Sequence, residues 1–254
     1  MKGTTPEGAR NEQEAARWVR QMFARVAPRY DLANHLLSFN LDRYWRAHTV
    51  KRVEAVLKRP DARVLDLCCG TGDLLLALAR RSSGVAMGAD FCHPMLVAAE
   101  KKIAQRNAHA AAFEADALRL PLRDHSLDLV TMAFGFRNLA NYEAGLEEIG
   151  RVLRPGGLLA ILEFSQPPNP AFAALYNFYS RRVLPWIGGA ISGSREAYAY
   201  LPESVRKFPN ASDLAGRMHA AGFAEVKFEY LSAGIVALHT GLARAQPCGL
   251  NCHP

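Results

Sequence analysis

A chain of 254 residues, half of them hydrophobic and 22% charged, can bury a full core and has ordinary globular composition. No apolar run approaches the roughly 20 residues that cross a bilayer. The opening MKGTTPEGARNEQEAARW lacks the apolar core of a secretory signal and is too acidic for a transit peptide; a cytoplasmic location is expected. The net charge of +7 is confined, with ten Lys or Arg against three Asp or Glu between Arg17 and Arg59 and 21 of each elsewhere. That segment reads equally as a solvated face or as a patch for an anionic lipid surface.

Residues 12 to 26 and 42 to 58 read as helices, because Trp18, Val19, Met22, Phe23 and Val26, then Trp45, Val50, Val53 and Leu57, recur at helical spacing. From Arg63 short β-rich runs alternate with helices. The strands fall at Arg63 to Leu67, Gly84 to Ala89, Ala110 to Glu114, Leu127 to Ala133 and Leu158 to Glu163. Helices at Asp73 to Arg81, Pro94 to Gln105 and Tyr142 to Leu153 lie between them, the last closed by Arg154-Pro155-Gly156-Gly157 as a stop and turn. That alternation predicts βαβ crossovers and a mostly parallel, Rossmann-like α/β sheet.

After the fifth strand, residues 170 to 200 carry Phe172, Leu175, Tyr176, Phe178, Tyr179, Leu184, Trp186 and Ile187, and are expected to form a helical cap over the sheet's carboxyl edge. A helix near Ala211 to Ala221 and strands at Ala224 to Leu231 and Gly234 to His239 complete the fold. The expected organisation is an N-terminal helical segment over 1–60, a catalytic domain over 61–241 and a tail over 242–254. Cys68 and Cys69 are adjacent, Cys92 stands alone, and Cys248 and Cys252 lie in that tail. This is no disulfide framework, and the tail has too few ligands for a zinc site. No metal is expected.

Val64-Leu65-Asp66-Leu67 runs into Cys68-Cys69-Gly70-Thr71-Gly72-Asp73 and then a helix, the setting of a glycine turn that lets backbone approach a nucleotide closely. A pyrophosphate turn would want Gly in place of Cys68 and of Leu75, which disfavours a dinucleotide oxidoreductase. Asp90, twenty residues beyond Gly70, can accept from both hydroxyls of a ribose, and Asp116 follows the third strand where an adenine edge would lie. Either Asp is also readable as a helix cap. Three such features at successive strand ends point together to a cofactor crevice.

These residues, with Phe23-Ala24-Arg25-Val26-Ala27-Pro28-Arg29-Tyr30-Asp31, Phe134-Gly135-Phe136-Arg137-Asn138, Glu163-Phe164-Ser165 and Tyr200-Leu201-Pro202-Glu203-Ser204-Val205, resemble the UbiE/MenG family of ubiquinone and menaquinone C-methyltransferases. The resemblance implies a class I methyltransferase fold, seven strands with the last antiparallel. It also implies S-adenosylmethionine as methyl donor, held by Asp66, Gly70, Thr71, Gly72, Asp90, Asp116 and Ala117. The acceptor implied is a prenylated quinol, most simply 2-demethylmenaquinol, with a ubiquinone-pathway benzoquinol or a non-catalytic donor-binding role as alternatives. No nucleic acid is implied, and room is left for a homodimer.

A quinol ring carbon becomes nucleophilic as the adjacent phenol loses its proton. Arg137 and the amide of Asn138, just beyond the fourth strand, would clamp that developing charge. Arg137 is also readable, as the lesser alternative, as an ion pair anchoring its loop. With a pKa above about 12 it is a poor base, so Tyr30, His35 or Glu163 are candidates to relay the proton, each also readable as a packing residue. The prenyl tail implies transient contact with a membrane, through Arg17, Arg20 and Arg25 and the apolar Phe172, Trp186 and Ile187.

Overall fold

A computed structural model describes residues 2–183 and 195–244. Helix α1 (Glu12–Val26) starts where the Asn11 side chain accepts the Glu14 amide, and it buries Ala15, Val19, Met22 and Val26 along one stripe. A 3-10 turn over Ala27–Arg29 leads into α2 (Tyr30–Leu37). The sequence reading has no helix there, because Leu32 and Leu36 point to solvent and break the inward apolar pattern. Helix α3 (Leu41–Leu57) places Trp45, Val53 and Leu57 in one cluster with Val64, Leu129 and Leu162 of the sheet layer.

Seven strands follow, β1 (Val64–Leu67), β2 (Ala86–Asp90), β3 (Ala110–Glu114), β4 (Leu127–Ala133), β5 (Leu153–Phe164), β6 (Phe223–Leu231) and β7 (Val236–Ala243). They form one sheet in the order β3-β2-β1-β4-β5-β7-β6. The first five are parallel, and β7 runs antiparallel to both β5 and β6. Helices α4 (Asp73–Ala79), α5 (His93–Gln105) and α6 (Tyr142–Val152) make the crossovers. Because β1 and β4 are buried along almost their whole length, they read as continuous apolar runs rather than alternating ones. The strand order reverses direction between β1 and β4, so a crevice opens beyond their carboxyl ends.

Two expectations need correction. Arg154-Pro155-Gly156-Gly157 does not stand between helix and strand: α6 ends at Val152, and the four residues lie inside β5, where pairing with β4 shifts register between Leu127 and Leu129. Gly156 takes φ +75°, and a Cβ on Gly157 would lie 2.8 Å from the Arg154 carbonyl oxygen, so the glycines serve a bulge. The last strand continues to Ala243, two residues into the expected tail, since Phe223 of β6 still has Ala243 as a partner.

The cap region contains α7 (Pro170–Phe178), continued by a π turn over Tyr179–Val183, and α8 (Arg195–Lys207); α9 (Ala211–Ala220) packs behind β6. Helix α7 has no fully buried residue, and Leu175 and Phe178 are 65% and 64% exposed. Leu184, Trp186, Ile187, Cys248 and Cys252 lie outside the described residues.

Candidate active site

At the carboxyl end of β1 the chain turns through Cys68, Gly70 and Gly72, with φ of +55°, +54° and +83°. A Cβ on Gly70 would meet no protein atom within 4 Å, so this backbone borders open space. The Gly70 amide donates to Asp90 Oδ2 at 2.9 Å and the Cys92 amide to Asp90 Oδ1 at 2.9 Å. Asp90 thus fixes the β1 turn to the β2 turn while keeping a lone pair on each oxygen. Burial raises its pKa, and these N–H donors oppose the rise. At the next strand end Asp116 Oδ1 accepts the Leu118 amide at 2.9 Å. Gly70, Asp90, Asp116, Ala117 and Asn138 border one cleft, which Phe23 and Tyr30 roof from the N-terminal segment.

Asp66, Thr71 and Gly72 do not line that cleft. Asp66 is buried within β1 and accepts the Thr131 hydroxyl at 2.8 Å; burial pushes its pKa up to about 7. Gly72 lets α4 approach α5, where a Cβ would come within 3.1 Å of Ala99. The Thr71 hydroxyl donates to Asp31 Oδ1 at 2.5 Å. Asp31 pairs with Lys102, which also holds Asp73, and His35 sits between Asp73 and Asp42. These charges tie α2 to the donor-side turn, a link that sequence periodicity does not carry. His35, Asp42 and Asp73 lie close enough to share an ion, but Arg46 and Lys102 already balance the two carboxylates.

A second cavity of about 930 Å³ adjoins the cleft, and Phe23, Tyr30 and Phe134 line both. Arg137 borders it, although only 5% exposed. Its Nη1 donates to Glu163 Oε1 at 2.8 Å and to the Phe134 carbonyl at 2.5 Å, and its Nε donates to Ser204 Oγ at 3.3 Å. The Phe164 ring stacks 5.3 Å from the guanidinium carbon. Burial alone would lower the Arg137 pKa; Glu163, Tyr200 and Tyr30 outweigh it and raise the value. The loop can sit here only because residue 135 is glycine: a Cβ would come within 2.4 Å of Cys68 Cβ. Tyr30 is held protonated by burial, against the opposing fields of Arg137 and Arg46. Glu163 accepts the Phe164 and Arg137 amides as well as the guanidinium, so its carboxylate is committed, and His35 lies off the cavity lining.

The cleft and the larger, apolar-rimmed cavity share a wall, so a donor in one and an acceptor in the other would meet there. Residues 9–243 match the ubiE/COQ5 methyltransferase family. The chain belongs to that family. It is 50% identical over 221 residues to demethylmenaquinone methyltransferase of Thermus thermophilus, covering 87% of this chain and 99% of the relative. Identity to the protein of the same name from Deinococcus radiodurans is 44%, over 91% and 95% of the two chains. The fold is shared with a solved S-adenosylmethionine-dependent methyltransferase of Thermotoga maritima, at TM-score 0.63 and 20% identity over 89% of this chain and all of that one.

For a ubiE/COQ5 methyltransferase the donor is S-adenosylmethionine, and the cleft suits it. The open space at Gly70 accommodates a ligand against bare backbone, Asp90 offers acceptor lone pairs, and Met95, Ala117 and Leu118 provide apolar walls. Unforeseen from sequence were the contributions of Asp31, Lys102, Ser204 and Tyr200. The run Tyr200 to Val205 carries the resemblance, but no spacing rule aims it at Arg137.

Proposed function

We propose that this methyltransferase converts 2-demethylmenaquinol to menaquinol. Placing Arg137 on the wall of the 930 Å³ cavity next to the donor cleft is the observation that carries this reading. When bound, the donor supplies a methyl group at an electrophilic sulfonium carbon. A ring carbon must attack it: the new C–C bond forms as the S–C bond breaks, and the hydrogen displaced from that carbon leaves as a proton, released in net to solvent, to restore aromaticity. If the acceptor phenol has a pKa near that of Tyr, about 10, its ionisation at pH 7 costs roughly 4 kcal/mol. Oriented donors from Arg137 and Asn138, both buried from water, would offset much of that. Tyr30, on the shared wall, holds the ring face at the methyl and remains a donor rather than a base.

The acceptor's tail explains the apolar mouth. Leu32, Leu36 and Phe39 from the α2–α3 corner and Leu175 and Phe178 from α7 are all at least half exposed, Phe39 at 74%. Phe39 packs on Tyr179 across the cavity rim. This corner, rather than the Arg17 to Arg25 stretch, is the face we assign to the lipid surface, because Arg20 is paired with Glu114. Arg43 and Arg182 are exposed and have no carboxylate partner among the described residues, which supplies the positive charge an anionic leaflet attracts. No helix among the described residues is long and apolar enough to cross a membrane, so contact would be peripheral.

Incubating the protein with methyl-labelled S-adenosylmethionine and chemically reduced demethylmenaquinone tests the reading. Label is expected in the menaquinone fraction, well above that in a demethylated benzoquinol run in parallel. Label in neither quinol overturns it; preferential label in the benzoquinol transfers the assignment to the ubiquinone pathway.

A further inference from the structure

Residues 2–6, ahead of α1, form a strap across the loop that follows Asn138. Tyr142 donates its amide hydrogen to the Lys2 carbonyl at 3.3 Å, the Thr4 amide donates to the Leu139 carbonyl at 2.8 Å, and Lys207 Nζ donates to the Thr5 carbonyl at 3.0 Å. One side of the strap therefore grips the loop that follows Asn138, and the other grips α8. Gly3 is held so tightly that a Cβ would lie 2.3 Å from the Leu139 carbonyl oxygen. Thr4 and Pro6 are buried.

At the centre of this contact is a short chain of hydroxyls. Tyr200 donates to Asn138 Oδ1 at 3.0 Å, so its oxygen is left to accept, and the Thr4 hydroxyl lies 2.7 Å from it. Asn138 Nδ2 donates to the Phe134 carbonyl at 3.3 Å. With Oδ1 held by Tyr200 and one Nδ2 hydrogen held by Phe134, the second Nδ2 hydrogen has no partner among the described residues, and Asn138 borders the donor cleft.

We infer that Thr4 is a positioning residue for the reaction: through Tyr200 it fixes the rotamer and amide orientation of Asn138. The inference rests on the reading of Asn138 as part of the clamp. Removing the Thr4 hydroxyl leaves the Tyr200 oxygen underfilled and free to turn, and Asn138 then loses the partner that distinguishes its oxygen from its nitrogen. Thr4 precedes residues 9–243, the part that matches the family, whereas Tyr200 and Asn138 lie within it.

The test uses the full chain tagged at its C-terminus, with Thr4→Val, Thr4→Ser, Tyr200→Phe, Thr4→Val/Tyr200→Phe and Asn138→Ala. Thr4→Val is expected to lower kcat by about three- to tenfold, the worth of one hydrogen bond, with unchanged KM for the quinol and unchanged donor affinity. Thr4→Ser is expected to restore kcat, and Thr4→Val to add nothing once Tyr200 is Phe. In protein labelled with 15N-asparagine, the Asn138 side-chain amide signals are expected to shift in Thr4→Val and return in Thr4→Ser. Normal kcat in Thr4→Val beside an impaired Asn138→Ala overturns the positioning role alone. Normal kcat in Asn138→Ala removes the clamp reading and this inference together. A Thr4→Ser variant as poor as Thr4→Val shows that the methyl group, not the hydroxyl, matters, and also overturns it.

Discussion

Arg137 and Glu163 form a buried ion pair, Nη1 to Oε1 at 2.8 Å, between the loop after β4 and the end of β5. The ion pair makes Arg137 a loop anchor, and the oxyanion clamp is the role proposed above for the same side chain. As a unit the pair is neutral, so what Arg137 offers a phenolate is fixed N–H donors more than net positive charge. Nη2 carries no protein partner among the described residues and is the group left to serve the cavity.

Arg137→Met should consequently fail twice. Turnover is expected to fall about 10²-fold or more, and stability by about 3 to 5 kcal/mol because Glu163 is left buried without its partner. Arg137→Met/Glu163→Gln should recover most of the stability and none of the turnover, with donor affinity near normal. Thermal unfolding and single-turnover rates separate the two effects. Normal turnover in the double variant would remove Arg137 from the chemistry.

Asp90→Ala is expected to weaken S-adenosylmethionine binding by roughly 1 to 3 kcal/mol, the scale of hydrogen bonds to a charged group. The Gly70 and Cys92 amides lose their acceptor in the same variant, so Asp90→Asn, which keeps an acceptor for one of them, should bind between the two. Titration calorimetry on folded protein decides; unchanged affinity in both variants excludes Asp90 from the donor site.

Helix α1 and strand β4 were legible because their burial is periodic or continuous, and they and β3 have the expected bounds. Helix α2 was not, since exposed Leu32 and Leu36 stand beside buried Ala33 and Leu37 and blur the inward stripe, and the glycines of Arg154 to Gly157 signal a bulge and a turn alike. In the site, Gly70, Asp90 and Asp116 were legible as residues at strand ends, which is a property of topology. Asp66 and Thr71 lie in the same motif yet turn into the sheet and toward Asp31; a motif reports a backbone path, not the direction of every side chain. Contacts such as Glu163 with Arg137, or Thr4 with Tyr200 across 196 residues, depend on packing that no local pattern encodes.

Flotation with anionic vesicles should depend on α7. Leu175→Asp/Phe178→Asp places two charges where apolar side chains stand exposed, and is expected to abolish vesicle binding while leaving turnover of a short-tailed quinol in detergent unchanged. Wild-type binding should weaken with salt as the basic contribution is screened. Undiminished flotation of the variant would move the membrane face elsewhere.

The pH dependence of stability is expected to contain two buried groups of opposite sign. Asp66 keeps its proton in the folded protein up to about pH 7 because it is desolvated, whereas in the unfolded chain it ionises near the usual value of about 4. Between those values the native state holds the extra proton, so this group makes stability fall as pH rises, by up to about 1.4 kcal/mol per pH unit, and its effect is level above 7. His239 is the reverse. Burial lowers its pKa to about 4, opposed by its hydrogen bond to the Ala211 carbonyl, and the unfolded chain binds the proton from about 6.5 downward. Its contribution is full above that pH and is lost as pH falls from about 6.5 to 4. Over that shared window the two slopes oppose and largely cancel. Asp66→Asn should therefore unmask a stability that rises with pH from 4 to 6.5, and His239→Gln one that falls with pH up to about 7. Asp66→Asn/His239→Gln should return to the near-flat difference of the parent, and donor affinity should be unchanged in Asp66→Asn because that side chain does not line the cleft. Chemical denaturation at half-unit pH steps measures all four proteins. Parallel curves for Asp66→Asn and wild type would show that Asp66 ionises normally in the folded state.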